Sequence, residues 1–299
     1  MSTSKNVITR RDFIRTGSCF AVGGLAGLPL IIQASVKKPD KSRVILIRDK
    51  NVIHDGGSLQ GPILENILDE AMTTILDVKD SKSAWQHLFN PDDIVGIKSN
   101  VWGPLPTPKT LEAALRTRLI NAGVRKENID IDDRGIRGNP VFNTSTALIN
   151  VRPLRTHHWS GLGTLIKNYI MFVSSPWQYH GRACERLGHI WNRPEIKDKT
   201  RLNILVMLTP LFHGVGPHHF SQAYVWPYGG LIVSTDPVAA DAVGAQIIQA
   251  KRNEYFKKYR PISPPPRHIE AADKQFGVGN SSSDRIELIK MGWKKDILI

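Results

Sequence analysis

Three segments of strand length alternating with two helix-period segments constrain this chain more than any other feature. Residues 43–48 and 94–98 are apolar runs of strand length rich in Ile and Val, and 128–132 reads as a third strand. After the first run, Ile63, Leu64, Ile67, Leu68, Ala71 and Ile75 recur at helical spacing, which predicts a helix over 61–76 opened near Pro62. After the second, residues 108–122 form another helix, ended by Gly123. Parallel strands need a helical crossover, so this order predicts parallel pairing. The expected fold class is α/β: a mainly parallel sheet with helices on both faces, in three layers.

The second half continues the pattern. Residues 148–154 are strand-like and 162–173 helical, and the apolar runs 202–208 and 231–234 are expected as buried strands. A loop dense in Gly, His, Pro and aromatics separates those two runs. Residues 237–252 form a helix with Asp236 as its cap and Pro237 at its first position. An extended proline-rich connector at 261–266, a helix at 268–276 ended by Gly277 and a strand at 285–290 complete the order. No internal repeat divides the body, so 43–299 reads as a single α/β domain.

Ahead of it stands Thr9-Arg10-Arg11-Asp12-Phe13-Ile14-Arg15, followed by the glycine-rich apolar stretch 18–32. Arg10, Arg11 and Phe13 give residues 1–34 the form of a twin-arginine export signal, joined to the body by a linker at 35–42. The expected partner is the twin-arginine translocase, and the expected location is periplasmic or otherwise extracytoplasmic. Ile32-Gln33-Ala34 is a poor cleavage site, and a retained signal would leave the chain membrane-associated. That route carries folded proteins, which points to a cofactor inserted or a partner joined before export.

Cysteine counting narrows the cofactor. The chain has 2 cysteines, Cys19 inside the signal and Cys184 in the body. Neither an internal disulfide nor a cysteine-ligated iron-sulfur cluster can be built after cleavage, since a cluster needs about four thiolates. Formal charge is +13, of which residues 1–34 contribute +3, leaving +10 for the rest. A basic body favours carboxylates, phosphates, or anionic polysaccharide or lipid surfaces. The charge is spread out, with no recognition helix or aromatic stripe, so nucleic acid is not expected.

Chemistry-bearing residues fall at strand ends. His157 and His158 stand after one strand and before Gly161 and Gly163, the crevice position where open α/β sheets bind ligands. A helix opening there would offer free N–H groups to an anion, with Lys167 and Asn168 adding a cation and an amide. The alternative is a tight turn with close helix packing. Lys98 and Asn100 end another strand. His213, Gly214, Gly216, His218 and His219 form a second loop after a strand. Five imidazoles on two loops allow a histidine-bound divalent metal, and equally anion binding or ordinary packing. Asp241, inside the helix capped by Asp236, is expected to point inward or toward a ligand, with Lys98 or Lys167 as its partner. Asp130, Asp132 and Asp133 precede Arg134 and Arg137, which reads as a strand end and a salt-bridged loop. No Gly-x-Ser-x-Gly elbow is present, which disfavours covalent hydrolysis by that device.

Several segments together resemble the domain of unknown function 362 family: residues 93–100, 157–168 with their Gly161-Leu162-Gly163-Thr164 turn, 214–217, 234–245 and 277–279. Many members resemble redox proteins, carrying a cysteine-rich ferredoxin-like segment that this chain lacks. Members often place an acidic residue after the strand at 202–206, where Met207 stands here. The resemblance brings no established reaction. The expectation is an exported enzyme, metal- or anion-dependent, acting on a small anionic molecule, with Lys98, Lys167 and Asp241 catalytic. The alternative is a non-catalytic ligand-binding or accessory protein for an exported redox partner.

Overall fold

Val44, Ile45, Leu46 and Ile47 are all buried although strand side chains alternate between faces, as a central strand covered on both sides requires. This strand, β1 (Ser42–Arg48), belongs to an eight-stranded sheet in a computed structural model that describes residues 41–214 and 219–299. The signal, including Arg10, Arg11, Phe13 and Cys19, lies outside the described residues, as do Gly216 and His218.

The elements follow as α1 (Gly61–Leu76), α2 (Ser81–Leu88), β2 (Val95–Lys98), α3 (Lys109–Ala122) and β3 (Ile129–Asp132). Then come β4 (Ala147–His157), β5 (Gly161–Gly163), a single turn α4 (Leu165–Asn168), β6 (Thr200–Leu211), β7 (Gly230–Ser234), α5 (Pro237–Phe256), α6 (Arg267–Lys274) and β8 (Ile286–Gly292). Strand order is β3-β2-β4-β6-β7-β1-β8, with β5 paired to β4. Along that path only β7 runs against the rest. The sheet is thus mainly parallel, as the alternating order implied.

Its two faces have separate cores. Ile45, Ile97, Ile149, Val151, Ile204 and Val233 pack under α1 and α3 through Leu64, Leu68, Leu111 and Leu115. Val44, Leu46, Leu154, Leu205 and Ile232 face α5 through Ala239, Ala240, Val243 and Ile247. Gly244 admits this contact, since a Cβ there would lie 2.5 Å from Leu205. Asp236 caps α5 by accepting from Val238 N (2.9 Å) and Ala239 N (3.0 Å).

One element departs from expectation. Residues 162–173 are not one helix: Gly161–Gly163 folds back on β4 as a strand, and only then do Leu165–Asn168 and a 3₁₀ segment, Tyr169–Phe172, follow. The reversal needs φ of +71° at Gly161, and a Cβ there would sit 2.0 Å from the Pro264 carbonyl oxygen. The helix α2 and the strand β5 were not marked by the periodicity.

Candidate functional site

β2 and β4 lie side by side, but the helices that follow them cover opposite faces of the sheet. At such a switch point the strand ends leave a crevice. Here a cavity of about 310 Å³ opens, walled by Asn100 after β2, Asp133 after β3, Arg152, Arg155 and His157 of β4, and Lys167 and Asn168 of α4. Trp102, Trp159 and His180 add an aromatic side.

β4 is buried along its whole length, yet it carries two arginines. Three residues apart in a regular strand, Arg152 and Arg155 would face opposite sides. The β4–β6 ladder loses register between Pro153 and Arg155, and both guanidinium groups reach the cavity. Each residue is only 4 % exposed. Arg155 donates from one terminal nitrogen to Asn100 Oδ1 (3.0 Å) and lies 4.4 Å from the Trp102 ring centroid. The Nε atoms of both arginines are buried without a hydrogen-bond partner among the described residues. Burial pulls Arg152 down to about 10, against the pull of Asp133 and Asp241, and Arg155 well below its usual value.

The acidic side chain on the cavity wall is already engaged. Asp133 Oδ1 accepts from Lys98 Nζ at 2.5 Å and its Oδ2 accepts from Val101 N at 2.9 Å. Burial alone would raise the Asp133 carboxyl, but Lys98 and the backbone donor hold it below the ordinary carboxylate range. Lys98, fully buried, also donates to Ser99 O (2.7 Å). Asn168 accepts from Asn100 and donates to Lys98 O, Asn150 Oδ1 and Val151 O, which locks the floor of the crevice.

Lys167 differs. Its Nζ has Cys184 Sγ at 3.7 Å and, among the described residues, no carboxylate partner. Burial brings it down to about 8, with Arg152 and Arg155 adding to the shift and Cys184 opposing it. Cys184 is set beside it by three successive left-handed residues, Arg182, Ala183 and Cys184 (φ 52°, 56° and 63°). Burial pushes the Cys184 thiol up.

His157 Nδ1 accepts from Trp159 N at 3.2 Å, so the neutral ring carries its proton on Nε2 and is a donor there. Burial, with Lys167, Arg152, His158 and Arg155 around it, keeps the ring neutral. His158 stacks on His157 at 4.9 Å between centroids, and Trp159 stacks on His180 at 3.8 Å. Burial lowers His180 to about 4, so it too is neutral near pH 7.

Other expected positions lie in different surroundings. The N–H groups that open α4 do not await a ligand: Asp241 Oδ1 and Oδ2 accept from Leu165 N (2.8 Å) and Ile166 N (2.9 Å). Full burial raises Asp241 to about 7 despite those bonds. Lys98 pairs with Asp133 and not with Asp241. Gly161 and Gly163 admit protein groups, the Pro264 carbonyl and the Arg152 guanidinium, since a Cβ on Gly163 would lie 2.7 Å from Arg152. His213 Nδ1 accepts from Arg252 at 2.9 Å beside Tyr224 and Phe256, and does not line the cavity. His219 is exposed, and Gly214, at φ +85°, lets its carbonyl close the loop. Among the described residues, no group of three or more His, Cys, Asp or Glu could hold a metal ion.

Arg152, Arg155, Asp133 and Trp102 were not marked as site residues by the sequence pattern. The usable signal was two arginines inside an otherwise apolar run of strand length, which is costly unless something pairs with them. Residues 135–246 match the model of a family described as Domain of unknown function (DUF362), in support of the resemblance over that segment. The matched segment holds Arg152, Arg155, His157 and Lys167, while Lys98, Asn100 and Asp133 precede it. No curated protein and no solved structure matches the chain.

Proposed function

We propose that this protein binds a small anionic substrate, a carboxylate or phosphate, in the crevice between β2 and β4. The observation that carries the reading is the pair of buried arginines whose Nε atoms lack partners, facing a cavity whose carboxylate, Asp133, is committed to Lys98. Buried cations with N–H groups left without an acceptor are expensive, and a ligand anion accepting those N–H groups relieves that cost. Asn100 fixes the Arg155 plane, Trp102 covers its face, and the Nε2–H of His157 supplies a neutral donor. A cavity of about 310 Å³ lies at the small end of ligand sites, which suits a compound of a few carbons.

Calorimetric titration with oxalate and with inorganic phosphate tests this. Wild-type protein is expected to bind one of them, and Arg152→Gln and Arg155→Gln each to weaken binding by about tenfold to a hundredfold, the worth of one charge-assisted hydrogen bond. Equal affinity in all three proteins would remove the basis of the proposal.

Residues 9–15 support a second statement, that the folded protein is a passenger of the twin-arginine translocase and works outside the cytoplasm. It rests on those residues alone, and the cellular fraction that holds the chain decides it.

A further inference from the structure

Of the two buried lysines beside the crevice, Lys98 is paired with a carboxylate and Lys167, among the described residues, is not. Lys98 is spent on Asp133, Ser99 O and Asn168. Lys167 lines the cavity beside Arg152 and Arg155, is 3 % exposed, and has a thiol rather than a carboxylate for its neighbour. A buried amine held among guanidinium groups is discouraged from taking a proton, and the free base is a nucleophile. Burial lowers both lysines to about 8, so what sets Lys167 apart is its place on the cavity wall beside a thiol.

We infer that Lys167 is a covalent catalytic residue, forming an imine with the carbonyl of a 2-oxo acid whose carboxylate is held by Arg152 and Arg155. The inference rests on the anion-binding reading above and assigns the class of anion. The amine of Lys167 adds to the carbonyl carbon after releasing one proton. The carbinolamine then loses its hydroxyl, which departs as water with the returned proton. In sum, the ammonium and the carbonyl compound give a protonated imine and water: a C=N bond replaces the C=O bond, nothing is oxidised or reduced, and the positive charge stays on nitrogen. Such an iminium draws electrons from the adjacent carbon, the chemistry that lysine enzymes use to break or make bonds next to a carbonyl.

Pyruvate and 2-oxoglutarate serve as probes, with sodium cyanoborohydride as the trapping reductant, on the full-length protein. Hydride reduction of the imine fixes the adduct, and the expected result is a mass gain equal to the keto acid less one oxygen, mapped to the peptide bearing Lys167. Oxalate has no ketone and competes for the arginines, so at about ten times its Kd it should lower the trapped fraction about tenfold. Lys167→Arg should abolish trapping while still binding oxalate. Mapping on the wild-type protein decides the matter even where that variant fails to fold. Oxalate binding without any trapped adduct overturns the imine and leaves the anion site standing. An adduct confined to other lysines and indifferent to oxalate also overturns it. Failure of both oxalate binding and trapping sinks the anion reading and, with it, the imine.

Discussion

Burial acts on Lys98 and Lys167 in the same sense, but their partners divide their roles. Asp133 opposes the desolvation of Lys98, which burial still brings down to about 8, and at neutral pH the pair is an ionic strut between the ends of β2 and β3. Lys167 faces Arg152, Arg155 and His157 from β4, His180 and Cys184 from the segment after α4, and the neutral His268 of α6. None of these brings a fixed negative charge at neutral pH. Because the Lys167 pKa is lowered to about 8, its ammonium is complete well below that pH and is lost as pH rises through it. Affinity for oxalate is therefore expected to be constant from about pH 6 to 7 and to fall by about tenfold across pH 8 to 9, the loss of one charge-assisted contact. Calorimetry across that range is the check, and a flat profile that stays flat in Lys167→Met would take Lys167 out of the binding site. Arg152, at about 10, stays charged over the same interval.

At the scale of elements, α4 is a single turn that would not persist alone in water. It is held from outside, by the fully buried Asp241 of α5 receiving its first two N–H groups. Lys167 and Asn168 both sit on that turn, so the carboxylate of α5 positions the reactive amine without touching a ligand. Asp241→Ala would strand two buried donors, at roughly 1–3 kcal/mol each, and is expected to lower stability by about 2–5 kcal/mol in urea titration. Asp241→Asn returns one acceptor and should lose about half as much. No change in either variant would show that Leu165 and Ile166 find other acceptors. This contact also marks where the sequence was legible. β1 declared itself as a compact apolar run, α1 by its helical spacing, and α5 by the cap Asp236 with Pro237 at its first position, because those signals are local. β5 and α4 did not, since a three-residue strand and a one-turn helix have no period, and their form is imposed by Pro264 and Asp241 from about a hundred and about eighty residues away. The site was legible in part for the same reason. Histidines and lysines at strand ends stood out by type, whereas Arg152 and Arg155 lay inside a strand, and the register change that turns both toward one cavity is a property of the β4–β6 pairing.

For the molecule as a whole, the crevice is a place where stability has been given up. The sheet is mostly apolar and covered on both faces; of its buried cations Arg48 donates to Tyr228 O and Lys295 O and Lys98 is paired with Asp133, whereas Arg152 and Arg155 of β4 keep Nε atoms without a partner among the described residues. If their purpose is to meet a ligand, the ligand-free protein carries a cost that an apolar residue of similar size would remove. Arg152→Met is therefore expected to make the ligand-free protein more stable, by about 1–4 kcal/mol on the scale found when buried ionic groups are replaced by well-packed apolar ones. The same substitution should sharply reduce the response to oxalate. Wild-type protein at about a hundred times the Kd gains about 2.7 kcal/mol by mass action and melts correspondingly higher, while the variant, binding about tenfold to a hundredfold more weakly, gains only about 0.4–1.4 kcal/mol at the same concentration. The two measurements belong together, because a raised melting point alone could come from better packing, and a lost response alone from a damaged fold. A variant that melts lower than wild type in the absence of oxalate would mean that the Arg152 guanidinium is already satisfied by the protein, and that the basic crevice is part of the architecture rather than a binding site.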